Sequence, residues 1–525
     1  MTYQKNNRHL IILAVIGIAV LAMGILLFMI PPALFPDPAN GFQVLRSMHL
    51  GGGFNNMVAP DQSDISQDYS EYLTWWSPGQ YLVPYLFKLI GFNMGQAIAI
   101  TVSLCTLSGL AGFYCFFRKI GFSPLISALS LVFIICQVAF FVPFVYYNGG
   151  EILLFAFEGW FLYGCVSINK PGIGLLLFVL LAGWVGFFFK SSFIWMYLAG
   201  ICCLWIRLSV NAKGISEWIK KGLWVGIPAI LSLAAVYVFF LSKGQNPTET
   251  AKGLKIAAET FSFPLASPLL SGFSIDDLAH GLLFHFGKVL VSPCWALGIV
   301  LLFAAFSLLL IISIIRVIPN NNYRLFITIF YFGALIFFGF IYIRQLNISY
   351  EARHYRILGI LIAPGLLYLL ARLKPVYKIG FTVICLALTA FSLNYLAKGY
   401  TINNTISARG PSGIAQPNID QVSLNKIMQL DQQNKNAVFV FVSNDIGLEI
   451  LHNRIISLSP IADDLKINID DYKYDGFAGP LYIILPESYN GPKEKMIMKS
   501  FPGYTGFNVS MLSDNYVLYA ADRKR

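Results

Sequence analysis

Charge is what this chain has least of. Charged side chains make up 12% of its 525 residues, against 57% hydrophobic and 15% aromatic, and the mean hydropathy is +0.65. Soluble domains carry about a quarter charged residues, so an ordinary soluble protein of this length is excluded. Histidine numbers only six, in no cluster. The eight cysteines (Cys105, Cys115, Cys136, Cys165, Cys202, Cys203, Cys294 and Cys385) include no CxxC pair and lie in or beside apolar segments. That excludes a disulfide framework or a zinc site and leaves them as soft packing residues. No fixed-period repeat and no low-complexity segment is present, which excludes solenoids. The glycines of GGGF at 51–54 lack the GK[ST] ending of a phosphate-cradling loop and read as a helix stop. A cleavage site is missing too: LIILAVIGIAVLAMGILLFMI at 10–30 is longer than a signal-peptide core and has no small-residue cut, so it reads as a retained helix.

What is present is a series of windows long enough for a bilayer core of about 30 Å, which takes about 20 apolar residues per helix. After 10–30 they fall near 95–117, 124–144, 150–168, 172–189, 192–208, 220–242, 289–315, 324–343, 356–373 and 377–397. The chain is expected to be a polytopic α-helical membrane protein of about eleven transmembrane helices. The segment YLVPYLFKLIGF adds a short helix at the membrane surface. The net charge of +11 comes from basic residues at the ends of greasy segments, where anchoring explains them, and nucleic acid is not expected as a partner. Lys5, Arg8, Arg118, Lys119, Lys170, Arg207, Lys213, Lys220, Lys221, Arg316, Arg324, Arg372, Lys374 and Lys378 share one face if the N-terminus is cytoplasmic. Loop 32–79, loop 243–288, the stretch from Arg344 to Arg356 and everything after 400 then face outward. The expected organisation is a membrane domain over 1–397, a linker rich in Asn, Ser, Gly and Pro over 398–425, and a small soluble extracytoplasmic α/β domain over 426–525. In that last part NAVFVFVS and GPLYIILPE read as strands and NVSMLSDNYVLYAADRK as a terminal hairpin.

The candidate chemistry lies on the outward side. Asp37 sits between Pro36 and Pro38 at the exit of the first helix. A stiff carboxylate there suits a lipid-borne substrate; equally, it reads as the cap of the helix that follows. In YLTWWSPGQYLVPYLF, Trp75, Trp76 and Tyr81 either form an aromatic belt or stack on a sugar ring. Glu151 opens a span in YYNGGEILLFAFEGW, with Glu158 two turns deeper, and acids at membrane depth are functional suspects unless they are satisfied by a neighbour such as Lys190. Lys190, in FFFKSSF, is a cation on the outer side against the general bias and either holds a lipid phosphate or snorkels. The densest cluster is RQLNISYEARHYRILG at 344–359, which carries Arg344, Glu351, Arg353, His354 and Arg356. Arginine forks match phosphate oxygens, and a histidine can shuttle a proton or donate a hydrogen bond. Acids from an early loop and cations from later loops suit transfer from a lipid phosphate: a carboxylate takes the acceptor proton while cations neutralise the leaving phosphate.

DPANGFQVLRSMHLGGGFN followed by WSPGQYLVPYLFKLIG resembles the opening of the integral-membrane GT-C glycosyltransferases, which include the protein O-mannosyltransferases and the lipid A aminoarabinose transferase. YEARHYRILGILIAP resembles the E-x-R-Y-x-x-x-x-x-P pattern that follows a late outer loop in these enzymes. The resemblance covers roughly residues 1–400 in topology and three short motifs in sequence. It implies Asp37 as catalytic base, with Asp61, Asp64 and Asp68 as rivals, and Glu151 as a second active-site or metal-site carboxylate. It places Glu351, Arg353 and Arg356 near the donor phosphate, to which the charge pattern itself adds Lys190 and His354. The activity the resemblance implies is sugar transfer from a polyprenyl-phosphate donor to a glycan, lipid or protein acceptor. No eukaryotic sorting signal is seen, so a bacterial inner membrane is the expected location, and the lysine and arginine bias makes the C-terminal domain periplasmic. A divalent ion, Mg or Mn, shared by Asp37 and Glu151 stays open. The competing readings are a transporter or flippase of a lipid-linked sugar, whose charges belong at mid-membrane, and a non-catalytic assembly protein.

Overall fold

The computed structural model describes residues 7–244, 253–275, 284–285, 288–289, 291–346, 348–443, 445–458 and 472–522. In chain order the elements are α1 (Arg8–Met29), β1 (Ala33–Leu34), α2 (Pro36–His49), β2 (Asn56–Pro60), β3 (Asp68–Tyr72), α3 (Gly79–Leu89), α4 (Met94–Lys119), α5 (Pro124–Ile135), α6 (Val138–Phe141) and β4 (Tyr146–Tyr147). Then come α7 (Gly150–Ser167), α8 (Ile173–Phe189), α9 (Phe193–Ser209), α10 (Ile215–Phe239), α11 (Ala258–Gly272), the short pair β5 (Phe284–His285) and β6 (Lys288–Val289), α12 (Pro293–Val317), α13 (Asn321–Ile343), α14 (Arg356–Arg372) and α15 (Pro375–Thr401). The C-terminal part holds α16 (Gln421–Gln433), β7 (Val438–Phe441), β8 (Arg454–Ser457), β9 (Leu481–Pro486), α17 (Pro492–Lys499), β10 (Asn508–Met511) and β11 (Tyr516–Ala521).

Among the described residues, eight helices are long and apolar enough to cross a membrane, or nine if a bent pair is one span. This is a multi-pass membrane protein. The count is below the expected eleven or so: the expected span near 124–144 is the pair Pro124–Ile135 and Val138–Phe144 bent by 79°, and those near 172–189 and 192–208 are helices of only 17 residues, Ile173–Phe189 and Phe193–Ser209. Helix starts follow local chemistry. Ser123 accepts from the Ile126 amide ahead of Pro124, and Asn320 accepts from the Tyr323 amide at 3.0 Å, so each cap satisfies one of the amides a helix leaves free. At the bend after α5, the Val138 amide donates to the Ser274 hydroxyl at 3.0 Å, giving the broken helix a partner that lipid cannot supply.

The molecule divides into two compact units. The first comprises Met1–Gly24, Val102–Pro143 and Gly150–Ala397. Its helices pack through small residues: a methyl group built on Gly159 of α7 lies 2.4 Å from the Phe113 amide nitrogen of α4, and one on Gly359 of α14 lies 2.6 Å from the Gly272 nitrogen of α11. Side chains that small let backbones approach where no hydrophobic effect drives association. One sequence expectation is corrected here. Loop 243–288 contains α11, whose Ala266, Ser267 and Leu270 are buried. Two prolines and a length of 15 residues disguise it as a loop. Pro268 has no N–H for the carbonyl of Pro264, and the Ser267 hydroxyl donates to that carbonyl at 2.6 Å. Tyr331 donates to the Leu265 carbonyl at 3.0 Å and Ser307 to that of Ala266 at 3.1 Å. Residues 245–252, 276–283 and 286–287 of the same loop lie outside the described residues.

The second unit comprises Ile25–Thr101, Phe144–Gly149 and Lys398–Arg525. Its sheet has the order β10-β11-β9-β7-β8, with β7 parallel to β8 and β9, and β11 antiparallel to β9 and β10. Alternate residues of the central strands enter two cores: Val438, Val440 and Ile483 on one face with Ile497 of α17, Phe439, Phe441 and Ile484 on the other with Leu424 and Ile427 of α16. Burial on both faces explains why these strands read as continuous apolar runs. Residues 398–425 are an ordered strap in which Ala408, Ala415 and Gln416 are fully buried and the Ala415 amide donates to the Pro32 carbonyl. In the same unit β1 pairs in parallel with β4, and α2 follows β1 directly. The Arg46 guanidinium of α2 donates to the carbonyls of Ile450 at 2.5 Å and Asn453 at 2.6 Å. Burial, opposed by Asp431, brings that guanidinium down to about 10.

Candidate active site

In the first unit α7, α8 and the turn into α14 bring one cluster together. Glu151 lies in the first turn of α7, where an acid suits the helix dipole. Gly150 beside it packs so closely that an added methyl group meets the Phe189 carbonyl at 2.8 Å, which brings the end of α8 against the start of α7. Lys190, the residue that ends α8, pairs with Glu151. Arg353, in the 3₁₀ turn Ala352–Tyr355, reaches the same Glu151 oxygen at 3.5 Å and binds Glu351 at 2.6 Å. Ser349 donates to the other oxygen of Glu351 at 2.5 Å. Arg356 stacks over the Phe155 ring at 4.9 Å. Glu158, on the Glu151 face of α7 two turns on, is 5% exposed and interacts electrostatically with Arg356 and Lys190. His354 lies near the Phe338 ring, and its Nε2 is buried with no hydrogen-bond partner among the described residues.

The sequence-predicted residues Glu151, Lys190, Glu351, Arg353, His354 and Arg356 therefore fall in one unit and one neighbourhood. Carboxylates hold two of the three cations, Lys190 through Glu151 and Arg353 through Glu151 and Glu351, while Arg356 is placed by its stacking over Phe155. Such preorganised cations can receive an anion without reorganising.

Asp37, Trp75, Trp76 and Tyr81 lie in the second unit. Asp37 is half-buried and occupies the first turn of α2, one residue past Pro36; the cap position is Phe35, so the capping expectation does not hold. The rivals of Asp37 are otherwise engaged. The Asp61 carboxylate accepts from the hydroxyl and amide of Ser63 at 2.6 and 2.7 Å, and Asp64 from those of Ser66 at 2.8 and 3.0 Å, which lowers both below the usual carboxylate range and makes both weaker bases. Asp68 pairs with Arg454 at 3.3 Å. Trp75 and Trp76 are half-buried in the bend before α3. Tyr81 is only 1% exposed and its hydroxyl donates to Asn55 at 2.6 Å, so it braces the loop and presents no face to a sugar.

A divalent ion does not fit these residues. Among the described residues no group of three His, Cys, Asp or Glu side chains converges, and the Glu151 carboxylate is already neutralised by Lys190 and Arg353. The sequence reading missed a cavity of about 490 Å³ in the second unit, lined by Asn40, Asn418, Ser443, Asp445, Tyr489 and Tyr516 among others. The polar runs VSND after β7 and ESY after β9 are visible in the sequence, but the strand order that brings them together is not.

No protein-family model matches the chain, and no curated protein matches it in sequence. Solved structures match in fold. ArnT from Cupriavidus metallidurans bound to undecaprenyl phosphate aligns over 98% of both chains with a TM-score of 0.51 at 12% identity. The chain shares the fold of that protein. The arabinofuranosyltransferase AftD from Mycobacteria matches 97% of this chain at 13% identity with a TM-score of 0.50, and the chain spans 40% of that protein's length. The expected polytopic helical part followed by a small C-terminal domain is observed, and that domain is built on a mixed five-stranded sheet.

Proposed function

We propose that this protein is a membrane glycosyltransferase of the GT-C type, moving a sugar from a polyprenyl-phosphate donor to an acceptor at the outer surface of a bacterial inner membrane, with its N-terminus cytoplasmic. The observation that carries the reading is the set of preorganised cations Lys190, Arg353 and Arg356 around Glu151 and Glu158, in a fold shared with ArnT, whose solved complex holds undecaprenyl phosphate.

In this reading the donor phosphate lies against Lys190, Arg353 and Arg356. Glu151 and Glu351 hold Lys190 and Arg353 in place, and Glu151 is an active-site carboxylate in that positioning sense. Asp37 takes the proton of an acceptor hydroxyl, whose oxygen forms the new bond to the anomeric carbon. The bond from that carbon to the phosphate oxygen breaks, and its electron pair leaves with the polyprenyl phosphate. The cations offset the charge gained there, which acts most strongly in a site with little water. The Nε2 of His354 is a further hydrogen-bonding group for the same anion.

The test is transfer of radiolabelled sugar from a panel of polyprenyl-phosphate sugars in membranes containing wild type or Asp37→Asn protein. Loss of transfer in the variant at normal expression supports the base assignment. Absence of transfer with the donor instead crossing the bilayer supports a flippase.

A further inference from the structure

The 490 Å³ cavity lies at a particular place in the topology of the second unit. Ser443 and Asp445 follow the carboxyl end of β7, and Tyr489 follows that of β9. These strands are parallel neighbours, yet the chain leaves them in opposite directions: β7 is followed by β8 on one side, and β9 leads to β10 and β11 on the other. A crevice opens at the carboxyl ends of two such strands because their connections diverge, and that is where open α/β sheets bind ligands. The volume is within the range of small-molecule sites, about 300–1,000 Å³.

The lining states the ligand's chemistry. Asn418 donates to the Ser443 hydroxyl at 3.2 Å, and Ser443 in turn bonds the buried Asp445 carboxylate. Asn40, Tyr489 and Tyr516 add an amide and two phenols, and Val442, Ile446 and Ile484 supply apolar wall. No lysine, arginine or histidine is among the described lining residues, and Asp445 repels anions, so a phosphate is the wrong occupant. A neutral polyol with a row of hydroxyls and an apolar ring face fits both kinds of wall. Pro36 and Ala39 of α2 also line the cavity, so it opens beside the helical turn that carries Asp37.

We infer that this cavity binds a neutral saccharide, the acceptor of the transfer reaction. The assignment as acceptor rests on the function proposed above; saccharide binding itself does not.

The experiment is saturation-transfer NMR of the full chain in lipid nanodiscs with methyl β-glucopyranoside, methyl β-galactopyranoside and methyl α-mannopyranoside, and methyl phosphate, whose methyl protons report binding, as the anionic comparison. The expected result is transfer to at least one glycoside and none to methyl phosphate. Asn418→Trp, placed at an exposed lining position where the indole fills the cavity mouth, is expected to weaken glycoside binding at least about tenfold, the equivalent of one lost hydrogen bond. Tyr516→Phe removes only a hydroxyl and is expected to weaken binding in the same direction. Binding to none of the glycosides, or equal binding in both variants, overturns the inference. Asp37→Asn separates the two ideas. Glycoside binding retained with no transfer in any sample leaves the saccharide site standing and removes the transferase. Transfer without glycoside binding does the reverse.

Discussion

Replacing Lys190 with methionine tests the donor side of the mechanism, and the structure sets the size of the effect. Lys190 and Glu151 are 18% and 14% exposed, so the pair is largely withdrawn from water. Breaking a buried pair by removing one partner costs about 3–5 kcal/mol. Here Arg353 still faces the same Glu151 oxygen at 3.5 Å and the pair is partly wet, so a loss of roughly 1–2 kcal/mol of stability is expected. Donor binding responds separately. A hydrogen bond to a charged group contributes about 1.5–3 kcal/mol, which converts to a rise in donor KM of about 10- to 100-fold. The assay is initial transfer rate against donor concentration in nanodiscs, with denaturant unfolding measured on the same samples. Lys190→Arg keeps the charge and is expected to recover most of the donor affinity, with a geometric penalty because a fork replaces a point charge. A Met variant that loses stability while holding its donor KM within about twofold of wild type would falsify the phosphate assignment and leave Lys190 as a purely structural partner of Glu151.

Four further outcomes are expected. Asp37→Asn lowers transfer by about 10²–10⁴-fold, the range for a lost general base, whereas Asp61→Asn leaves it within about twofold, measured by the radiolabel assay. Gly159→Ala destabilises the first unit by at least about 2 kcal/mol, because the added methyl meets the backbone of Gly112 and Phe113, which cannot yield; a stability within error of wild type contradicts the close packing of α4 and α7. Arg46→Met leaves the carbonyls of Ile450 and Asn453 without their charged donor and costs about 2–4 kcal/mol, read as faster proteolysis of the C-terminal part. Asp445→Asn stabilises the protein at neutral pH. Burial, only partly offset by the Ser443 hydroxyl, raises the Asp445 carboxyl in the folded state, so its ionisation works against folding above the unfolded value of about 3.9. The gain over wild type is expected to disappear below about pH 4, where both states are protonated; a gain that persists there contradicts the burial argument.

Much of this fold was legible because the bilayer imposes one simple requirement, a long apolar helix, and α1, α4 and α12 meet it without interruption. The C-terminal strands were legible for a related reason, since VFVF and LYIILP are buried on both faces and read as apolar runs. Helix α11 was not legible. Pro268 frees the Pro264 carbonyl, which the Ser267 hydroxyl of α11 itself takes up, while Ser307 and Tyr331 of neighbouring helices bond the carbonyls of Ala266 and Leu265, and no local pattern announces those distant partners. The cation cluster was legible because arginine, lysine and acid at membrane depth are costly and therefore informative. The specific pairing of Lys190 with Glu151 needed the structure, since the two residues come from different helices. Tyr81 misled because a tyrosine that braces a loop and one that stacks on a sugar have the same sequence signature. The cavity at the carboxyl ends of β7 and β9 depended on strand order, which sequence does not display.

The central claim is that this chain transfers sugar from a lipid phosphate using Asp37. The most direct measurement is radiolabel transfer from undecaprenyl-phosphate sugars by the purified full chain in nanodiscs, wild type beside Asp37→Asn. The account predicts labelled product from the wild type and loss of nearly all of it in the variant, with both proteins equally stable. Equal product from the two proteins, or donor translocated across the bilayer with its sugar still attached, contradicts it.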